Sequence, residues 1–362
     1  MDLENSTLIS KSNISESSWC EKPTNKMNIL YTIFLTTVMV LTIFGNIMVI
    51  VAVGLFPRLR RMTNYFIVSL AVSDLLYAIM SLPLRLDQTV HNFNWCLGLA
   101  ACTYWIAIDA VFSSASICNL AAVSIDRFIA ITKPLDYPRI MTKKTVLSLI
   151  GFVWFYACLW GLLSLFNWDD PGVQHITVLQ ECQNSNTIYY TSAAALSFLL
   201  PLLIVLFAYS WLLKIAFEQT KAIARKQLQH KKKTRILFRE LKAAKTLGIV
   251  VGVFVVSWLP FFIILLLAFW CPSCLDPMRE NKRLGLSLKI IFIYVLPQLN
   301  SCMNPVIYTV FNKEFRKAFR DMLTSYCSMS FKPDTLASST KKFSLSFLTN
   351  AVNSDSISDS SS

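Results

Sequence analysis

The sequence predicts an all-α membrane protein, a bundle of seven transmembrane helices with a short amphipathic eighth. Three observations carry this. Of the 362 residues, 54% are hydrophobic and only 15% are charged; soluble domains carry roughly 25% charged residues. The apolar residues fall into seven blocks, most of them with the roughly 20 residues that a helix needs to cross lipid. The blocks also lack the alternation of barrel strands, and only helices or closed barrels satisfy their backbones in a bilayer.

The first span runs about 29–54. It is too long and too late in the chain for a cleaved signal peptide, so it reads as an uncleaved first helix. The second is about 64–89 and the third, less apolar, about 100–131. The fourth covers about 146–167, the fifth 188–216, the sixth 244–270 and the seventh 287–310. Beyond them, 312–323 reads as an amphipathic surface helix, with Phe311, Phe315 and Phe319 at i, i+4 spacing. Residues 334–362 are rich in Ser, Thr and Asp and read as disordered. The chain thus divides into an extracellular glycosylated tail (1–27), a helical domain (28–325) and a cytoplasmic tail (326–362).

The net charge of +13 is a topology signal rather than a nucleic-acid footprint. Arg58, Arg60 and Arg61 follow the first span; Lys133, Arg139, Lys143 and Lys144 follow the third. Lys231, Lys232, Lys233 and Arg235 follow the fifth, and Lys313, Arg316, Lys317 and Arg320 follow the seventh. These segments share one side of the membrane, which the positive-inside rule makes cytoplasmic. The N-terminus is then outside, where the sequons at Asn5 and Asn13 are useful. Cys20, Cys96, Cys102, Cys182, Cys271 and Cys274 also fall outside, in the compartment where disulfides persist. Cys327, after the basic amphipathic stretch, is a candidate for palmitoylation.

Ionisable residues inside a span are costly and mark function by default. Asp109 and Arg127 lie 18 residues apart in the third span, which is about five turns and about 27 Å. They share a face at opposite membrane ends. Asp109 sits about 10 Å beneath the outer rim. Its carboxylate calls for a cationic partner on a neighbouring helix or for a cationic ligand. Asp74 lies at mid-membrane with Asn46, Ser116, Asn300, Ser301 and Asn304 at similar depth. Such a cluster glues helices together, and its oxygens also suit a sodium ion. At the cytoplasmic end, Asp126-Arg127-Phe128 is either a solvated pair or half of a switch in which Arg127 pairs with Glu240 of the sixth helix. Pro260 lies inside the sixth span and is expected to kink it, beside an aromatic stripe of Phe254, Trp258, Phe261 and Phe262. Asn304-Pro305 with Tyr308 repeats the proline pattern in the seventh.

Together these residues resemble the rhodopsin-like (class A) G-protein-coupled receptors over about 27–325. The motifs come in order: Gly45-Asn46, Leu70-Ala71-Val72-Ser73-Asp74, Trp95 and Cys102, Asp126-Arg127-Phe128, Trp154, Pro201 with Tyr209, Trp258-Leu259-Pro260 and Asn304-Pro305-Val306-Ile307-Tyr308. Within the class the chain looks like a biogenic-amine receptor. The resemblance implies that Asp109 binds a protonated amine. Trp105, Ser113, Ser114, Ser197, Trp258, Phe261, Phe262, Tyr294 and Gln298 would line the pocket around it. It also implies disulfides Cys102–Cys182 and Cys271–Cys274, which leave Cys20 and Cys96 to bridge each other. Asp126, Arg127, Glu240, Tyr209, Asn304, Pro305 and Tyr308 would switch the receptor and engage a heterotrimeric G protein. Asp74, Ser116, Asn300, Ser301 and Asn304 would hold an allosteric sodium ion, the one cofactor implied. Arrestin is the expected partner of a phosphorylated tail, and the plasma membrane the expected location.

The chain departs from the amine pattern at four positions. Gln298 replaces a helix-seven tyrosine that supports the aspartate, and Pro297 beside it is unusual. Gln298 is expected to hydrogen-bond Asp109. Arg85 in upper helix two is positioned to compete for Asp109 unless Asp87 occupies it. Phe128 replaces the commoner tyrosine. With Ala193, Ala194 and Ser197 on helix five, the ligand carries at most one ring hydroxyl or is an indole or imidazole amine. Tyramine, octopamine, serotonin and histamine fit that description, and a peptide or lipid ligand is the alternative. An opsin would need a mid-helix-seven lysine, and Lys289 lies near the outer end. No catalytic constellation is legible, so the chain does not read as an enzyme.

Overall fold

A computed structural model describes Cys20 and residues 26–169, 176–178, 182–225 and 231–329. Asn5, Asn13 and the tail 334–362 lie outside the described residues, as do the side chains of Glu240 and Cys327.

Among the described residues, seven helices are long and apolar enough to cross a membrane: α1 (Asn28–Leu55), α2 (Met62–Val90), α3 (Gly98–Thr132), α4 (Lys143–Leu163), α5 (Thr187–Leu212), α6 (Gly248–Trp270) and α7 (Ser287–Phe311). An eighth, α8, covers Lys313–Met329. The fold class is the predicted one. The expected spans differ most at α4, which starts three residues earlier and ends four earlier than expected. Its start is set by Thr142, whose hydroxyl accepts the Thr145 N–H at 3.2 Å. The α5 helix is capped the same way by Asn186, which accepts from Tyr189 N–H at 3.0 Å.

Three spans carry π-helical turns: Tyr77–Ser81 in α2, Ala193–Leu199 in α5 and Ile290–Val295 in α7. Each contains the carbonyl that a proline four residues on cannot bond: Ile79 for Pro83, Ser197 for Pro201 and Ile293 for Pro297. The wide turn relieves the clash between ring and carbonyl. By contrast, the helix Lys231–Trp270 runs unbroken through Pro260.

The core runs down the bundle axis through Leu70, Leu120, Phe198, Phe254, Trp258 and Tyr308. Large apolar side chains such as Phe44, Phe155, Leu203, Phe207 and Val256 are exposed, as lipid-facing positions should be. Small residues allow close helix approach. A Cβ on Gly161 would sit 2.9 Å from the Ala107 backbone oxygen, between α4 and α3.

On the extracellular side β1 (Ile176–Val178) pairs antiparallel with β2 (Cys182–Asn184). Disulfides Cys102–Cys182, Cys20–Cys96 and Cys271–Cys274 tether this surface. On the other side α8 buries Phe315 and Phe319, and Phe315 stacks on Tyr308 at 5.6 Å. Arg58 pairs with Asp321 at 2.9 Å and Arg61 with Glu314 at 2.7 Å, joining the α1–α2 loop to α8.

Candidate functional site

The upper halves of α2 to α7 enclose a cavity of about 320 Å³, closed on one side by Cys182 of β2. A volume of this size suits a small ligand. Asp109, Trp105, Ser113, Ser114, Ser197, Trp258, Phe261, Phe262 and Tyr294 all line it. Asp109 accepts a hydrogen bond from Ser81 Oγ at 2.8 Å, and Trp105 Nε1 donates to the same Ser81 Oγ at 3.1 Å. Ser81 ends the π-helical turn of α2, so that turn sets where the hydroxyl points. Opposite, Trp258 meets Phe261 edge to face at 5.7 Å, and Phe262 stacks on Phe198 at 4.1 Å. A carboxylate facing aromatic walls suits an ammonium that carries a flat apolar group.

The expectation that Gln298 lines this cavity and bonds Asp109 needs correction. Gln298 does not line it and does not bond Asp109; it is buried and accepts from the Tyr77 hydroxyl. Each side chain satisfies the other because both lie in the α2–α7 contact. On helix five, Ser197 does not present a free hydroxyl, because it shares a 2.6 Å hydrogen bond with Ser114. Ser113 Oγ is buried on the cavity wall with no partner. Asp87 does not occupy Arg85 either; it faces His91 at 3.5 Å.

At the cytoplasmic end Asp126 is fully buried. It accepts from Thr63 Oγ1 at 2.6 Å, from the Tyr137 hydroxyl at 2.8 Å and from Arg127 Nη2 at 2.7 Å. Arg127 also donates to the Thr63 hydroxyl. Burial, together with the Asp126 carboxylate, pushes the Tyr137 hydroxyl up to about 12, so it stays a donor at neutral pH. Whether Arg127 reaches Glu240 rests on a side chain outside the described residues. Tyr209 packs on Gly248, where an added Cβ would lie 3.1 Å from its ring.

At mid-membrane Asp74 accepts from Asn304 Nδ2 at 2.8 Å. Asn46 Nδ2 bridges α1 and α7, donating to Thr42 O at 2.9 Å and Ser301 O at 3.2 Å. Ser116 Oγ and Asn300 Oδ1 are buried oxygens with no partner. These oxygens and the Asp74 carboxylate are the donor set a hard monovalent cation takes.

Comparison with known proteins agrees with this architecture. Residues 45–308 match the family described as 7 transmembrane receptor (rhodopsin family). The chain belongs to this family. It is 34% identical over 351 residues to the alpha-1A adrenergic receptor of Homo sapiens, covering 87% of this chain and 73% of the relative. It is 34% identical over 351 residues to the Bos taurus receptor of the same name, with the same coverage. It is 31% identical over 316 residues to the octopamine receptor beta-1R of Drosophila melanogaster, covering 80% of this chain and 60% of that one. As a rhodopsin-family receptor of the biogenic-amine group, it is a multi-pass membrane protein that couples to a heterotrimeric G protein, and it is not an enzyme.

Some of this receptor's cavity residues are not legible in the sequence. Tyr189, Tyr190 and Trp160 line it although they sit near the ends of α5 and α4, where helix boundaries are hardest to place. Ser81 carries no sequence signal, because its contact with Asp109 depends on the π-helical turn.

Proposed function

We propose that this receptor binds a small protonated amine at Asp109 from the extracellular side and thereby activates its G protein. The observation that carries the reading is the Asp109 carboxylate on the wall of a cavity that also presents the Trp258, Phe261 and Phe262 rings. It accepts a hydrogen bond from the neutral Ser81 hydroxyl, and among the described residues no cation lies within ion-pair distance of it. In low dielectric a carboxylate and an ammonium neutralise each other, and the Trp258, Phe261 and Phe262 faces add stacking. The amines named for the relatives, an adrenergic ligand and octopamine, have this chemistry.

The same reading places the receptor in the plasma membrane with its N-terminus outside. Asn5 and Asn13 are then glycosylated and Cys327 palmitoylated. Phosphorylated serines of the tail recruit arrestin. Asp74, Ser116, Asn300, Ser301 and Asn304 hold a sodium ion, supported by the two buried oxygens without a partner. An Arg127–Glu240 pair restrains the resting state.

The test is a panel of tyramine, octopamine, serotonin, histamine, dopamine and adrenaline on cells expressing the receptor, read as G-protein dissociation. A response to at least one amine is expected. Silence across the panel, with the receptor present at the surface, contradicts the amine reading and favours a peptide or lipid ligand.

A further inference from the structure

Asp109 is one of three charged residues on the cavity wall, and the other two, Arg85 and Lys289, are cations. An amine bound at Asp109 therefore leaves the Arg85 cation without a counter-charge on the cavity wall. The Arg85 Cζ lies 4.3 Å from the Trp105 ring centroid and 5.1 Å from that of Tyr294. These two rings hold the guanidinium in place by cation–π contact. Its Nη1 donates to Gln88 at 3.1 Å, while Nε is buried with no partner. Among the described residues no carboxylate lies within ion-pair distance of Arg85, and the nearest in sequence, Asp87, faces His91. A half-buried guanidinium on the cavity wall, held by two rings and with no carboxylate in ion-pair distance, is a preformed seat for a carboxylate or similar anion.

Both charges border the same cavity. Ser81, which donates to Asp109, lies four residues, about one helical turn, before Arg85 on α2, so a molecule with an anionic group a few bonds from its ammonium faces both. We propose that the pocket selects a zwitterion: an aromatic amine with an anionic group such as a carboxylate beside its ammonium. Asp109 takes the cation, Arg85 takes the anion and Trp258, Phe261 and Phe262 take the ring. Lys289 adds to the positive potential at the rim. This inference rests on the amine reading and names the ligand class more narrowly.

The experiment uses matched pairs that differ by one carboxylate: tyramine and tyrosine, tryptamine and tryptophan, histamine and histidine, phenethylamine and phenylalanine. Each is applied to cells expressing the full-length receptor, its Asp109→Asn variant and its Arg85→Gln variant. Surface amount is measured in parallel. At least one amino acid should activate the wild type, and Asp109→Asn should abolish that response. Arg85→Gln should weaken the amino acid by about tenfold or more and strengthen its amine partner by roughly threefold. Opposite shifts within one pair are a signature that a merely structural role for Arg85 does not produce. Amines that act through Asp109 while every amino acid stays silent overturn the zwitterion proposal and leave the amine reading intact. Equal losses for both members of a pair in Arg85→Gln also overturn it. If neither class activates a surface-expressed receptor, both readings fail. If Arg85→Gln does not reach the surface, Arg85→Lys decides: it keeps the charge but loses the fork, so selective weakening of the amino acid supports the proposal and equal weakening contradicts it.

Discussion

Ser113, Ser114 and Ser197 all border the cavity, yet only Ser113 keeps its hydroxyl without a protein partner. On the proposed amine reading, Ser113 is the wall hydroxyl that a ring hydroxyl of the ligand would pair with. Ser113→Ala should reduce tyramine potency by roughly 5–10-fold, the worth of one hydrogen bond, and leave phenethylamine, which lacks the hydroxyl, much less affected. Concentration–response curves for the pair check this. Single residues also explain the cytoplasmic lock. Tyr137, Thr63 and Arg127 all donate to Asp126. Tyr137→Phe removes one donor from a fully buried carboxylate and loosens the group that holds Arg127. Ligand-free GTP exchange should rise several-fold at equal expression, by about the 1–2 kcal/mol such a bond contributes. Residue types were legible in the sequence here, and pairings were not. Asp109, Arg127 and the Trp258 cluster announce themselves because a charge or a large ring in lipid needs a reason. The Tyr77–Gln298 and Ser114–Ser197 bonds depend on which way neighbouring helices rotate, and a single sequence does not encode that visibly.

The elements explain why these residues converge. Prolines at 83, 201 and 297 each lie just beyond a π-helical turn, and the three turns carry Ser81 to Asp109 and Ser197 and Tyr294 to the cavity. The prolines were visible in the sequence, and Pro297 stood out in it as unusual. The extra residue per turn was not visible, because a kink and a wide turn relieve the same clash. Helix ends were legible to within a few residues; Thr142 and Asn186 fix two of them by caps that are hard to tell from ordinary loop polarity. Packing between elements gives a further prediction. Gly161 faces the Ala107 backbone oxygen, which has no rotamer by which to move away. Gly161→Val should overpack the α3–α4 contact and cost about 1–3 kcal/mol. A lower melting temperature of the detergent-solubilised receptor, with less protein at the surface, is the expected readout.

At the scale of the whole molecule, seven apolar helices with basic connections on one side made the fold legible, since only the bilayer explains that pattern. The three disulfides gather on one face of the bundle and the α8 ion pairs on the other. Between the two faces lie the buried Asp74 carboxylate, bonded to Asn304, and the unpartnered Ser116 and Asn300 oxygens that we propose as a cation site. If it holds sodium, raising sodium chloride against an N-methyl-glucamine control should weaken agonist binding, and Asp74→Asn should erase that dependence. On the proposed reading the signal enters at Asp109. The most direct test is therefore the Asp109→Asn receptor, shown to reach the cell surface, challenged with whichever amine activates the wild type. Loss of the response by about a hundredfold or more in potency is expected, in keeping with removal of one partner of a buried charge pair. An undiminished response would contradict Asp109 as the anchor.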